Sequence, residues 1–123
     1  MLEHTTIPNG MSWSSDDKLM FFTDSPKGTV DVFDYEAESG TISNRRVFYR
    51  YDGQAGVPDG HVQDVDGNLW IAICGGGEVI QVSPTGTLLS RIVLPTNMPS
   101  CKFAQIVWVL KLHADLQFVV KNS

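Results

Sequence analysis

Two stretches of the chain repeat one pattern of apolar and polar positions. Pro8-Asn9-Gly10 opens a segment that ends in the apolar run Leu19-Met20-Phe21-Phe22, and Pro58-Asp59-Gly60 opens another that ends in Leu69-Trp70-Ile71-Ala72. Both runs are short and rich in aromatic and branched residues. Turn-forming Asp-Asp-Lys or Asp-Gly-Asn precedes them and Gly or Pro follows, which predicts β-strands. TVDVFDY (29–35) and EVIQVSP (78–84) then alternate apolar with polar residues, as strands with one buried face do. YEAESGTISNRRVFYRY (35–51) reads as a hairpin turning at Glu38-Ser39-Gly40, and SPTGTLLSRIVLP (83–95) as its shorter counterpart. No window except the last twenty or so residues has helical periodicity.

Laying Ile7 over Val57 aligns Pro8 with Pro58, Asn9 with Asp59, Gly10 with Gly60, Leu19 with Leu69 and Met20 with Trp70. A one-residue gap after that run brings Gly28 over Gly77. A weaker third copy begins at Met98. Strand-only repeats with a turn-rich start are the signature of propeller blades. The pattern therefore predicts an all-β chain: a partial β-propeller of about two to three blades, each a four-stranded antiparallel sheet. Residues 1–103 form this unit, with blades starting near 7, 57 and 98, and 104–123 form a divergent tail. At about 45 residues per blade the chain is too short to close a ring, so self-association through open blade edges is expected.

Composition narrows the possible partners. A net charge of −5, with acidic residues spread along the chain, disfavours nucleic acid and anionic membrane. The longest apolar run, FAQIVWVLKL (103–112), is too short to span a bilayer, and the amino terminus has no signal-peptide pattern. A cytoplasmic location is the resulting expectation. Cys74 and Cys101, without a CxxC spacing, read as two reduced thiols.

Pro-Asn-Gly and Pro-Asp-Gly need no function to explain them, since proline presets φ, Asn or Asp bonds the local backbone, and glycine takes positive φ. Their recurrence at matching points of a blade is different, because such loops gather around a propeller's central channel. There the Asn9 amide oxygen and an Asp59 carboxylate would be hard donors for Ca²⁺ or Mg²⁺, and acceptable to Zn²⁺ or Mn²⁺. Two oxygens are few against the six to eight ligands calcium usually takes. Asp64, Asp66 and Asn68 begin like an EF-hand loop, but Leu69 and Gly75 stand where glycine and glutamate are required, leaving a hairpin turn at Asp66-Gly67-Asn68. The glycine-rich CGGGEV (74–79) lacks a phosphate loop's Lys-Ser/Thr and reads as a turn. His61, Trp13, Trp70 and Trp108 read as packing residues, Arg45-Arg46 as a solvated pair, and His4 and His113 have no partner by spacing.

Taken in order, PNGMSWS (8–14), FFTDS (21–25), VFDYEAESGTISNRRVF (32–48), VPDG (57–60), DVDGNLWIAICGGGEVIQVSPTG (64–86) and the LP and MPSC segments between 94 and 101 resemble the gluconolactonase, regucalcin and luciferin-regenerating-enzyme family, also called the senescence marker protein family. The resemblance implies a six-bladed propeller with one divalent metal in its channel, acting on sugar lactones or related esters. It makes Asn9 and Asp59 metal ligands, and Asp59 also the catalytic base. The family's glutamate ligand and its substrate-contacting arginine and asparagine have no counterpart here. After MPSCKFA the sequence leaves the family pattern.

Two functions compete. One is a lactonase that requires a divalent metal (Ca, Zn, Mn or Mg) and hydrolyses a small sugar lactone, weakened or inactive in this chain. The other is a non-catalytic half-propeller that binds metal, self-associates or serves as a protein-interaction scaffold.

Overall fold

The computed structural model describes residues 10–53 and 56–94. They form eight strands: β1 (Met11–Trp13), β2 (Leu19–Asp24), β3 (Thr29–Glu36), β4 (Thr41–Arg50), β5 (Val57–Gln63), β6 (Leu69–Cys74), β7 (Glu78–Val82) and β8 (Leu88–Val93). A 3₁₀ turn at Ser25–Lys27 links β2 to β3. The strands make two antiparallel meanders, β1-β2-β3-β4 and β5-β6-β7-β8, each with its strands in sequence order. The all-β expectation and the two four-stranded units therefore stand. Asn9, the expected third blade start near 98 and the 104–123 tail lie outside the described residues.

One core joins the sheets. Phe21, Val30 and Val32 of the first pack with Leu69, Ile71, Ile73, Ile80 and Val82 of the second, and Leu19, Phe48, Tyr49, Tyr51 and Leu88 fill its margins. Phe21 and Phe48 meet edge to face with centroids 4.9 Å apart. This cluster explains why β6 is apolar at every position while β2 is not. Five of the six β6 residues are buried, whereas Leu19, Phe22 and Asp24 of β2 are only partly so.

The hairpin turns fall where the turn residues placed them. Gly40 (φ +73) closes β3–β4 by donating to the Glu36 carbonyl at 2.8 Å. Gly67 (φ +86) closes β5–β6 by donating to the Asp64 carbonyl at 3.0 Å.

The register moves the gap between the two repeats. Met20 pairs with Phe33, and Leu69 pairs with Val82. Because Phe33 and Val82 lie equally far beyond Gly28 and Gly77, Met20 corresponds to Leu69, and Leu19 does not. The extra residue sits earlier, in the first turn. Ser14 N–H bonds the Leu19 carbonyl across a loop one residue longer than that closed by Asp64 N–H and the Asn68 carbonyl. Asp17, at φ 59, lies in that longer loop. A turn absorbs an inserted residue locally, whereas a strand would turn every following side chain to its other face. The Leu-to-Leu identity misplaced the gap for this reason.

Cys74 is disulfide-bonded, which corrects the expectation of a reduced thiol. Spacing and the absence of a secretory pattern speak to motif and compartment, and do not constrain which side chains the fold brings together.

Candidate functional site

The Pro-Asp-Gly turn is not a loop before a strand. It lies inside β5, at the edge of the second sheet, and carries a β-bulge. Pro58 pairs with Ile73 and His61 with Ile71, so Asp59 and Gly60 together stand opposite Ala72. Proline suits an edge position because it has no N–H to donate. A bulge leaves its extra residue outside the regular ladder and re-aims it, a device that recurs beside active sites. Asp59 is half-buried, between a buried Pro58 and a buried Gly60.

The first sheet meets this bulge from one side. A Cβ added to Gly10 would lie 3.7 Å from the Asp59 carbonyl oxygen and 3.4 Å from Thr23 Cβ, so Gly10 and Asp59 are neighbours in space. Thr23 N–H donates to the Gly10 carbonyl at 2.7 Å and continues the β1–β2 ladder up to that point. Ser25 Oγ donates to the Pro58 carbonyl at 2.7 Å.

Two residues beyond Asp59, the His61 ring is buried between the sheets. Ser12 Oγ lies 2.7 Å from its Nε2 and Thr23 Oγ1 lies 2.9 Å from its Nδ1. Burial pushes the His61 pKa down to about 4, so at neutral pH the imidazole is uncharged, one nitrogen donating and the other accepting. Gln63 Nε2 extends the network to Ser12 Oγ at 2.9 Å and to the Trp13 carbonyl at 2.7 Å. The structural reading of His61 is therefore the one the geometry supports.

A second polar group lies along the same cross-strand row, since Pro58 pairs with Ile73 and Ile73 with Glu78. Buried Glu78 accepts from the Tyr51 hydroxyl, and from Arg91 Nη1 at 2.7 Å, while Arg91 also holds Asp52. Burial, and then the bond to Glu78, push the Tyr51 pKa up to about 12. Arg45 is exposed, as foreseen, but it is also engaged. It bonds Asp31, 1% exposed, through Nε at 2.7 Å and reaches Asp24 at 2.9 Å, with its guanidinium over the Phe22 and Phe33 rings. Its neighbour Arg46 pairs with exposed Asp34 at 2.9 Å, as a surface pair would.

The other motifs resolve structurally. The EF-hand-like stretch is a turn organised by Asp64. One of its carboxylate oxygens accepts from Asp66 N–H (3.0 Å) and Asn68 N–H (2.9 Å), and the other accepts from Asn68 Nδ2 (3.0 Å) and Trp70 Nε1 (2.9 Å). Trp13 packs edge to face on Tyr35 with centroids 6.0 Å apart.

As a metal site the arrangement is partial. Among the described residues no three His, Cys, Asp or Glu side chains gather into a cluster that could hold an ion. Asp59 fits a divalent cation as a single hard donor, and Asn9 precedes the Gly10 that lies beside it. Sequence reasoning singled out Asp59 through the repeated turn and did not single out Ser12, Thr23 and Ser25, which the structure places around Pro58 and His61. Thr23 and Ser25 sit in the quoted FFTDS stretch, yet a Ser or Thr there reads equally well as a turn residue.

Two four-stranded sheets sharing one core, with a bulged Asp-Gly at the edge of one against the matching glycine of the other, define an all-β protein of the propeller type with a polar site between the edge strands of its sheets. The chain belongs to the family described as the SMP-30/gluconolactonase/LRE-like region, whose pattern matches residues 1–105. It is 42% identical over 103 residues to regucalcin of Bos taurus, an alignment that covers 82% of this chain and 34% of that protein. Among solved structures it resembles a calcium-binding protein, regucalcin, from Agrobacterium tumefaciens (TM-score 0.64, 29% identity, 72% of this chain and 30% of the other). It also resembles a gluconolactonase from Xanthomonas campestris (TM-score 0.59, 30% identity, 76% of this chain and 29% of the other). The chain thus spans about a third of the length of the relatives it matches. Among the described residues no helix is long and apolar enough to cross a membrane.

Proposed function

We propose that this chain carries part of a lactonase site of the gluconolactonase and regucalcin type, in which Asn9 and Asp59 hold one divalent cation and a small sugar lactone is the substrate. The observation that carries the reading is the placement of Asp59 in the β5 bulge beside Gly10, the residue after Asn9. Membership of the family, and the calcium-binding and gluconolactonase relatives, support it. A bound cation supplies Lewis acidity at a lactone carbonyl and acidifies water. The chain's own part is to present the Asp59 carboxylate, which serves both as ligand and as acceptor of a proton from water within about 3 Å. The cation is calcium, zinc, manganese or magnesium, all compatible with oxygen donors. The complete propeller of the reading has six blades, of which this chain holds two or three.

Gluconolactone hydrolysis by the 123-residue chain, followed by pH-stat with each cation in turn, tests the proposal. Turnover by this partial site is expected to be weak at most; metal-dependent turnover above the ion alone, lost in Asn9→Ala and Asp59→Ala, supports catalysis by this chain. Turnover no faster than buffer with the same ion overturns catalysis by this chain. The lack of a three-residue donor cluster among the described residues favours one second reading, a non-catalytic blade pair that binds metal weakly. Metal binding lost in Asp59→Ala without turnover would select it.

A further inference from the structure

We propose that Ser25 is a positioning residue for Asp59, and that with His61 it forms a clamp by which the first sheet fixes the bulge of the second; the inference rests on the metal-ligand reading of Asp59. A bulge interrupts the ladder that would otherwise fix the backbone, so a carboxylate carried on one needs outside support to hold a single position. Here the support comes from both chain directions. Upstream, the Ser25 hydroxyl donates to the Pro58 carbonyl at 2.7 Å and so fixes the peptide group that joins Pro58 to Asp59. Downstream, His61 is held at both ring nitrogens, by Ser12 of β1 at 2.7 Å and Thr23 of β2 at 2.9 Å.

The groups that hold Pro58 and His61 come from β1, β2 and the 3₁₀ turn that follows β2. Ser25 opens the 3₁₀ turn that follows β2, and Thr23 N–H bonds the Gly10 carbonyl at 2.7 Å. The same short segment, Thr23 to Ser25, therefore touches the Gly10 backbone, the Pro58 carbonyl before Asp59 and the His61 ring after it. It physically connects Gly10 to the bulge that carries Asp59. His61 is buried and supports packing as well, so Ser25, at the margin, is the residue that separates positioning from folding.

The test uses the full chain with Ser25→Ala, Ser25→Thr, His61→Ala and Asp59→Ala. Two readouts are taken: amide hydrogen exchange across 57–61, and Mn²⁺ binding by electron paramagnetic resonance of the free ion. Ser25→Ala is expected to speed exchange at 57–61 while 78–82 stays as protected as before, and to weaken Mn²⁺ binding about tenfold, the low end for groups that orient a metal ligand. Ser25→Thr, which keeps the hydroxyl, is expected to restore both. His61→Ala should loosen the same segment from its other side. Unchanged exchange in Ser25→Ala overturns the clamp whatever the metal does. Faster exchange with unchanged Mn²⁺ affinity overturns the positioning role. Absence of Mn²⁺ binding by the unsubstituted chain overturns the metal reading and the purpose of the clamp with it, and the exchange data distinguish that failure from failure of the clamp itself.

Discussion

Asp64 shows how one carboxylate organises a turn. It is 3% exposed and receives two backbone and two side-chain donors, Trp70 Nε1 among them. Replacing it with alanine leaves a buried indole N–H and two turn amides without their acceptor, each costing about 1–3 kcal/mol if water does not reach it. Asp64→Ala is expected to destabilise the chain by roughly 3 kcal/mol, and Asp64→Asn by less because one acceptor oxygen remains. Urea unfolding followed by tryptophan fluorescence measures the difference.

Tyr51 supplies the pH dependence at this scale. Burial and the bond to Glu78 both disfavour the phenolate, and they raise its pKa from 10 to about 12. An acid whose folded pKa is raised contributes stability while it stays protonated. Its contribution is complete below pH 10 and is lost as pH rises from 10 towards 12. Tyrosinate absorbance should show Tyr51 ionising last, near pH 12, with the midpoint lowered in Glu78→Gln. An unchanged midpoint in that variant would remove Glu78 as a cause.

At the scale of the element, hairpins and strands were legible because their signals are local. The turn glycines Gly40 and Gly67 sit at positive φ where the sequence put them, and the alternation in EVIQVSP predicted the strand but not its burial, which takes in both faces and leaves only Gln81 not buried. The register was not legible to the last residue. An insertion in the first turn and a bulge at Asp59-Gly60 both depend on cross-strand pairing, which one strand's sequence does not encode. The clamp was hidden for a related reason, since Ser25 and Thr23 meet Pro58 and His61 only after the sheets pack. Gly86 marks that packing from the other hairpin. It closes the β7–β8 turn at φ +89, and a Cβ there would lie 2.6 Å from the Phe48 carbonyl oxygen of β4. Gly86→Ala therefore meets both backbone strain and a backbone clash, and is expected to cost about 2 kcal/mol or more in thermal or urea unfolding. Gly28→Ala, with open space around the same kind of φ (+71), should cost less.

At the scale of the molecule, two blades present two outer strand edges, and the chain protects them unequally. The β4 edge is irregular, with register shifts between Val30 and Asp31 and between Val32 and Asp34, and it carries Arg45, Arg46 and a positive-φ Asn44. Bulges and edge charges of this kind discourage pairing with another strand. The β8 edge has one cation, Arg91, which is engaged by Glu78 and Asp52, while Leu89 and Val93 are 51% and 76% exposed. Among the described residues no strand pairs with that outer edge. Self-association is then expected to run through β8. Light scattering after size exclusion is expected to show a mass that rises with concentration, and Leu89→Lys or Val93→Lys should shift the rise to higher concentration. Neither substitution touches the core, so the melting temperature of the dilute monomer should stay nearly unchanged. Arg46→Ala on β4 serves as the comparison: if it changes association more than the β8 substitutions do, the contact lies on the first sheet and the β8 assignment fails.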